Sequence, residues 1–353
     1  MAPETMASGS RDLATEAAQA IPVTLLTGFL GSGKTTVLNH LLGLPDLGET
    51  AVLINEFGSV ALDHLLVRAV DEEVMVLESG CICCSVRGDM VTALRDLFLK
   101  RIKVDIPEFK RLIIETTGLA DPAPLIHTLV AEPLLAARYR LDGIVTTVDA
   151  LVGGQTLDQH AESVKQVALA DRLLITKTDM AEAGNVPPLA DRLRALNPGA
   201  DLLCIDNGVV DPAQIFDCGL FNGRDRTPDL NRWLGQVAAP HEDPGHHHHH
   251  AHDSRIASFV LTWEAPLDWP SLGEAMGMLM ATHGTSLLRV KGILNIAGED
   301  RPVALHGVQH VFHQPVALEA WPDSDRRSRL VFITRDLGEQ VVRDLFAAFL
   351  TSR

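Results

Sequence analysis

Two hydrophobic spacings alternate along the first two-thirds of the chain. Short apolar, β-branched runs recur as IPVTLLT (21–27), AVLIN (51–55), VMVL (74–77), RLIIE (111–115), GIVTTV (143–148), RLLIT (172–176) and DLLCI (201–205). Between them, Thr35–Leu42, Asp89–Leu99 and Leu157–Ala170 carry apolar residues at helical spacing. Near-continuous apolar strands separated by helices indicate a parallel sheet covered on both faces. The pattern predicts a doubly wound, mostly parallel α/β domain over residues 21–237. Residues 1–20 contain acids and no hydrophobic h-region, so they read as a disordered leader.

The pattern breaks at AAPHEDPGHHHHHAHDS (238–254), a stretch of Pro, Gly, acids and histidine with no large apolar anchor, which reads as a linker. Beyond it, 257–263, 286–296, 302–312 and 328–334 read as strands, and Trp269–Met280 and Gly338–Leu350 as helices. The last helix is expected to bury Val341, Val342, Leu345, Phe346 and Phe349 on one face. Residues 255–353 are thus expected to form a smaller α+β domain.

Composition narrows the function. The net charge of −16 argues against a nucleic-acid partner or an anionic membrane surface. No apolar stretch reaches the roughly 18 residues of a membrane span. Five cysteines without disulfide-framework spacing point to a reducing, cytoplasmic setting, where a cysteine cluster means metal or catalysis more often than a bridge. Cys204 lies inside an apolar run and is expected in the core.

The strongest chemical signal is GFLGSGKT, Gly28–Thr35, between a predicted strand and a predicted helix. Glycines such as Gly28, Gly31 and Gly33 let backbone N–H groups, Ser32 included, close on a phosphate where the helix dipole favours negative charge. Lys34 would reach the β- and γ-phosphates, and the Thr35 hydroxyl would ligate Mg²⁺. TKTD, Thr176–Asp179, approximates the N-K-x-D pattern that reads guanine. Asp179 can accept from guanine N1–H and N2–H₂, Lys177 can lie along the ring, and Thr176 replaces the usual Asn. In IIETTGLADP, Glu115 ends a strand where a carboxylate can hold Mg²⁺, and Gly118 can donate its N–H to a γ-phosphate. Asn55, Glu56 and Asp63 sit in a loop that is either a metal-facing switch or an ordinary polar turn. Asp149, at the end of GIVTTVD, is either functional or a strand cap.

Cys81, Cys83 and Cys84 follow a strand across Gly80 in GCICC. Three thiolates in one turn can converge on a soft or borderline cation and leave a fourth position labile. Zinc fits best, Co²⁺, Ni²⁺ and Cu⁺ remain open, and redox or core-filling readings stay alive. The run His246, His247, His248, His249, His250 and His252, with His241 nearby, could capture divalent ions weakly or be an inert linker. His306, His310 and His313 favour a strand, with His310 and His313 on opposite faces in a structural or partner-surface role.

Together GFLGSGKTT, NEFG, GCICC, ETTGLADP, TKTD, the His-rich linker and the closing KG…HGVQH…WP…SRLVFI resemble the CobW-like family of P-loop GTPases, relatives of the nickel chaperones HypB and UreG. The resemblance implies a GTP-dependent metallochaperone whose cysteine trio, with Glu56 as a further zinc candidate, binds metal beside the nucleotide. It implies that Gly33, Lys34, Thr35 and Thr36 hold phosphate and Mg²⁺, that Glu115 is the Walker-B-like acid, and that Lys177 and Asp179 read guanine. Ser59 stands where many members have Glu. The implied partners are a client metalloprotein and, in some relatives, a second copy around nucleotide. Other members handle cobalt for cobalamin synthesis or insert metal into nitrile hydratase. A P-loop small-molecule kinase with structural zinc is the rival from another class.

Overall fold

The computed structural model describes residues 20–47, 49–55, 75–79, 86–182, 184–216, 218 and 255–350. The chain forms two compact units. One comprises Met1–Asp149, Leu174–Met180 and Cys204–Pro228, the other Ala150–Leu173, Ala181–Leu203 and Asp229–Arg353.

The apolar runs form a seven-stranded sheet in the order β3-β2-β4-β1-β5-β6-β7. Its strands are β1 (Ile21–Gly28), β2 (Thr50–Asn55), β3 (Met75–Ser79), β4 (Arg111–Thr116), β5 (Tyr139–Asp149), β6 (Arg172–Thr176) and β7 (Asp201–Cys204). The pairs β2–β3, β2–β4, β1–β4 and β1–β5 are parallel. β1 lies between β4 and β5, and its adjacent residues Leu25 and Leu26, which point to opposite faces, are both buried, as a strand covered on both faces requires. Helices α1 (Lys34–Leu42) and α2 (Val86–Ile102) follow β1 and β3, while α3 (Ala123–Ala131) and the single turn α4 (Pro133–Ala136) precede β5.

Two expectations fail here. The stretch Leu157–Ala170 is not one helix but two, α5 (Gly153–Gln159) and α6 (Ala161–Leu169). His160 adopts an extended backbone between them. Its N–H closes α5 onto the Thr156 carbonyl, and its own carbonyl accepts from Ser163 and Val164 to start α6. A single extended residue leaves the apolar spacing nearly in phase, so periodicity does not register the break. Cys204 is exposed, because β7 is the edge strand and its last residue has no covering layer; Cys218 is the buried thiol.

The second unit carries α5, α6, α7 (Val186–Leu196) and an antiparallel sheet, β11-β10-β9-β13-β8, with β12 (Val316–Ala317) on β10. Its strands are β8 (Ile256–Trp263), β9 (Leu287–Leu294), β10 (Val303–Val308), β11 (Val311–Phe312) and β13 (Ser328–Arg335). Helices α9 (Trp269–His283) and α10 (Glu339–Leu350) follow α8, a short turn at Pro212–Ile215 in the first unit. The core contains Leu272, Ala275 and Leu279 of α9, Val342 and Phe346 of α10, and Phe259 and Phe332 of the sheet, with the two phenylalanine rings stacked at 5.5 Å. Val341 is exposed, against expectation: the buried stripe of α10 runs through Val342 and Phe346, four residues apart, with Leu345 and Phe349 at its flank. The stretch 302–312 is not one strand. Val308 pairs with Val311 across Gln309 and His310, and Gln309 takes φ 53°. Without Gly or Asn at that left-handed position, the hairpin lacked its usual signal.

Every residue of β9 is buried. Its Val290 and Leu294 join the helical core, while α6 also packs on this strand. Arg289 and Lys291 of β9 surround Asp171: Arg289 donates to the Asp171 carboxylate and, at 2.6 Å, to the Leu169 carbonyl, and Lys291 Nζ lies 3.0 Å from Asp171. His306 stands opposite Lys291 in register, and its ring stacks on His313 at 3.9 Å. Thus His306 and His313 meet, and His310 projects from the turn. Burial pulls the Lys291 ammonium down to about 8 and the His313 imidazole to about 4; His306 lies well below its ordinary value for the same reason.

Candidate functional site

The phosphate cradle is the turn from β1 into α1. Gly28 takes φ +140°, and a Cβ there would collide with the hydroxyl and carbonyl of Thr147 on the neighbouring β5. Gly31 and Gly33 take φ +72° and +93°. No side chain caps the start of α1.

Lys34 is buried, and its Nζ donates to the carbonyls of Gly28 (3.0 Å) and Phe29 (3.1 Å), folding the side chain over its own loop. Those partners are neutral, so an anion that displaces them faces an ammonium already in the loop. The Thr35 hydroxyl donates to Glu115 Oε1 at 3.0 Å, joining the hydroxyl and carboxylate expected to share Mg²⁺. Both oxygens suit a hard cation, and Glu115 is buried at the end of β4, so the donor set fits such an ion. Gly118 packs against the loop, where a Cβ would collide with the Leu30 backbone nitrogen. Thr36 is exposed one residue beyond Thr35.

The base motif lies at the end of β6. Lys177 takes φ 57° and binds Asp149 at 2.6 Å, Asp179 is exposed, and Thr176 is buried. The Thr176 hydroxyl bonds the Ser32 carbonyl at 2.7 Å, so in place of the usual Asn it grips the phosphate loop.

Sequence reasoning missed three participants. Thr147 shares a 2.6 Å hydrogen bond with Ser32, and its signal was a pair of threonines inside a buried apolar strand. Asp206 accepts from Thr178 of TKTD, and Gly208 packs on the Thr36 backbone. Their signal was the D-N-G turn after the seventh apolar run.

Cys81, Cys83, Cys84, Glu56, Asp63 and the histidines at 246–250 and 252 lie outside the described residues. Among the described residues, no group of three or more His, Cys, Asp or Glu side chains is placed to hold a metal ion. Nor is any helix among them long and apolar enough to cross a membrane.

The nucleotide-binding domain of the CobW/HypB/UreG family matches residues 22–204, and the cobalamin synthesis protein CobW C-terminal domain matches 256–350. The chain is 35% identical over 327 residues to the zinc chaperone YjiA of Escherichia coli, covering 93% of this chain and 98% of that one. It is 27% identical over 361 residues to the zinc chaperone CobW of a Sinorhizobium species, covering 94% and 97%. The crystal structure of Zn(II)-bound YjiA GTPase superposes with a TM-score of 0.73 at 32% identity, over 94% of this chain and 99% of that one. The glycine-rich turn of β1 and α1 therefore stands on a P-loop GTPase fold followed by a CobW C-terminal domain, and the chain belongs to the CobW/HypB/UreG family.

Proposed function

We propose that this GTPase is a metallochaperone that binds a divalent ion, zinc first and Co²⁺ or Ni²⁺ as alternatives, at Cys81, Cys83 and Cys84. On GTP hydrolysis it surrenders the ion to a client metalloprotein. One observation carries the reading: the Thr35–Glu115 contact at 3.0 Å beside a buried Lys34 that donates to the loop carbonyls, in a chain 35% identical to a protein named a zinc chaperone.

Lys34 would exchange its carbonyl partners for β- and γ-phosphate oxygens, while the uncapped start of α1 donates N–H groups to them. Thr35 and Glu115 would hold Mg²⁺, which supplies charge neutralisation at the phosphates. Gly118, packed on Leu30, would donate its N–H to the γ-phosphate, and Asp179 would accept from the guanine edge with Lys177 beside it. For the cysteine trio the support is its C-x-C-C spacing after a strand and the family membership. Glu56 would add an oxygen ligand, and the histidine run would deliver ions to the trio. Reduced thiols require a reducing compartment, which favours the cytoplasm. A second copy bound around the nucleotide is part of the same reading.

If nucleotide and metal sites are coupled, each changes the other's affinity by the same factor. Zn²⁺ titrated against protein loaded with a GTP analogue or with GDP should give affinities differing by about tenfold or more. Equal affinities would remove the coupling. Cys83→Ala should lose Zn²⁺ binding and keep GTP binding; unchanged zinc affinity would exclude the trio.

A further inference from the structure

We propose that the C-terminal end of β5 positions both halves of the nucleotide site, with Thr147 setting the phosphate loop and Asp149 setting the base-reading loop. The inference rests on the nucleotide part of the proposed function and assigns it two positioning residues.

Thr147 and Asp149 are two apart on a strand, so they share one face of β5. Both are buried, Thr147 at 1% and Asp149 at 7% exposure. Two hydrogen bonds meet at the Thr147 hydroxyl. It donates to the Thr27 carbonyl at 3.2 Å, which leaves the Ser32 hydroxyl to donate across the 2.6 Å contact to Thr147 Oγ1. A hydroxyl has a single hydrogen: in this arrangement the one on Ser32 holds the loop to β5, and the one on Thr147 ties β5 to β1. Gly28 completes the fit, since only a residue without Cβ lets β1 approach the Thr147 hydroxyl and carbonyl so closely.

Asp149 does the corresponding work for the base loop. Lys177 sits in the left-handed region, which an L-residue with a long side chain rarely occupies unless held. The charge-assisted bond from its ammonium to Asp149 Oδ2, 2.6 Å long and half-shielded from water, fixes its position. Thr176 ties the two halves together, because its hydroxyl reaches the Ser32 carbonyl at 2.7 Å. Ser32 is therefore gripped at its side chain from β5 and at its carbonyl from β6. Within TKTD, Thr176 is committed to the loop, so base recognition falls to Asp179 with a Lys177 aimed by Asp149.

The two halves separate experimentally with a ligand that has phosphates and no base. Thr147→Val should weaken GTP and inorganic tripolyphosphate alike, by about tenfold each, since a hydrogen bond under the phosphate loop is lost. Thr147→Ser keeps the hydroxyl and should bind both as the parent does. Asp149→Asn should weaken GTP by about tenfold and leave tripolyphosphate unchanged. Should Thr147→Val fail to fold, Ser32→Ala removes the other half of the same bond and should give the same parallel loss. Equal losses of GTP and tripolyphosphate in Asp149→Asn, or unchanged binding in either variant, overturn the assignment. Failure of the parent protein to bind GTP overturns the nucleotide reading itself, a different outcome from either.

Discussion

Two buried polar clusters in this chain are built on opposite terms. In the expected phosphate cradle of β1 and α1, Lys34 donates to the carbonyls of Gly28 and Phe29, and Glu115 accepts from the Thr35 hydroxyl. In the cluster on β9, Arg289 and Lys291 share the carboxylate of Asp171, Arg172 pairs with Asp201, and two imidazoles stack beside them. The shifted ionisations cited above belong to the second cluster, with burial as their first cause. Perturbed ionisation is often taken as the sign of a functional site, and here it marks the region whose charges answer one another. A site that must accept an anion keeps its cation on partners that can be displaced. A structural cluster commits its charges internally.

Four substitutions or conditions would break that contrast, in descending order of effect. Asp171→Ala strands two buried cations and should destabilise the fold by about 3–5 kcal/mol, measured by urea unfolding. The GTP turnover of the remaining folded protein should hold, and a lost turnover at full stability would place the cluster in the active site. Lys34→Ala should do the reverse, lowering GTP turnover by about 10²–10³-fold at a nearly unchanged melting temperature.

Asn197→Ala comes next. The Asn197 amide donates to the carbonyls of Val167 (2.8 Å) and Ala170 (2.9 Å), closing the end of α6. Its loss takes the amide from the Ala170 carbonyl, while the Val167 carbonyl keeps the Ala170 N–H at 3.2 Å, and unfolding should register about 1–3 kcal/mol. A cost near zero would mean that water replaces the amide there.

The smallest effect is in pH. His306 and His313 titrate below their ordinary 6.5 in the folded chain, beside Arg289, Lys291 and Asp171, so the unfolded chain binds protons that the folded one refuses. Stability should be full above about pH 6.5 and decline as pH falls toward 4. His313→Phe should flatten that slope, and an unaltered slope would assign the acid sensitivity to other groups.

Much of this could be read without coordinates because local chemistry imposes it. A glycine-spaced turn ending in Lys-Thr between strand and helix predicts the cradle, and apolar runs of four to seven residues with helical spacing between them predict the sheet. What escaped reading depended on neighbours distant in sequence. His160 breaks a helix without disturbing the apolar phase, and Gln309 turns a hairpin without a glycine. Cys204 is exposed because its strand lies at an edge, a fact of strand order rather than of composition.

The same division runs through the nucleotide site. The chain's own pattern singled out Gly28, Lys34, Thr35, Glu115 and the TKTD turn, since each is the residue type that phosphate, cation or base chemistry would require locally. The Thr147 contacts and the double grip on Ser32 join residues 115 or more apart in sequence, and Asp149 meets Lys177 from 28 residues away, pairings that no local motif makes. Residue type sets what a side chain can donate or accept, and strand order sets which partner receives it.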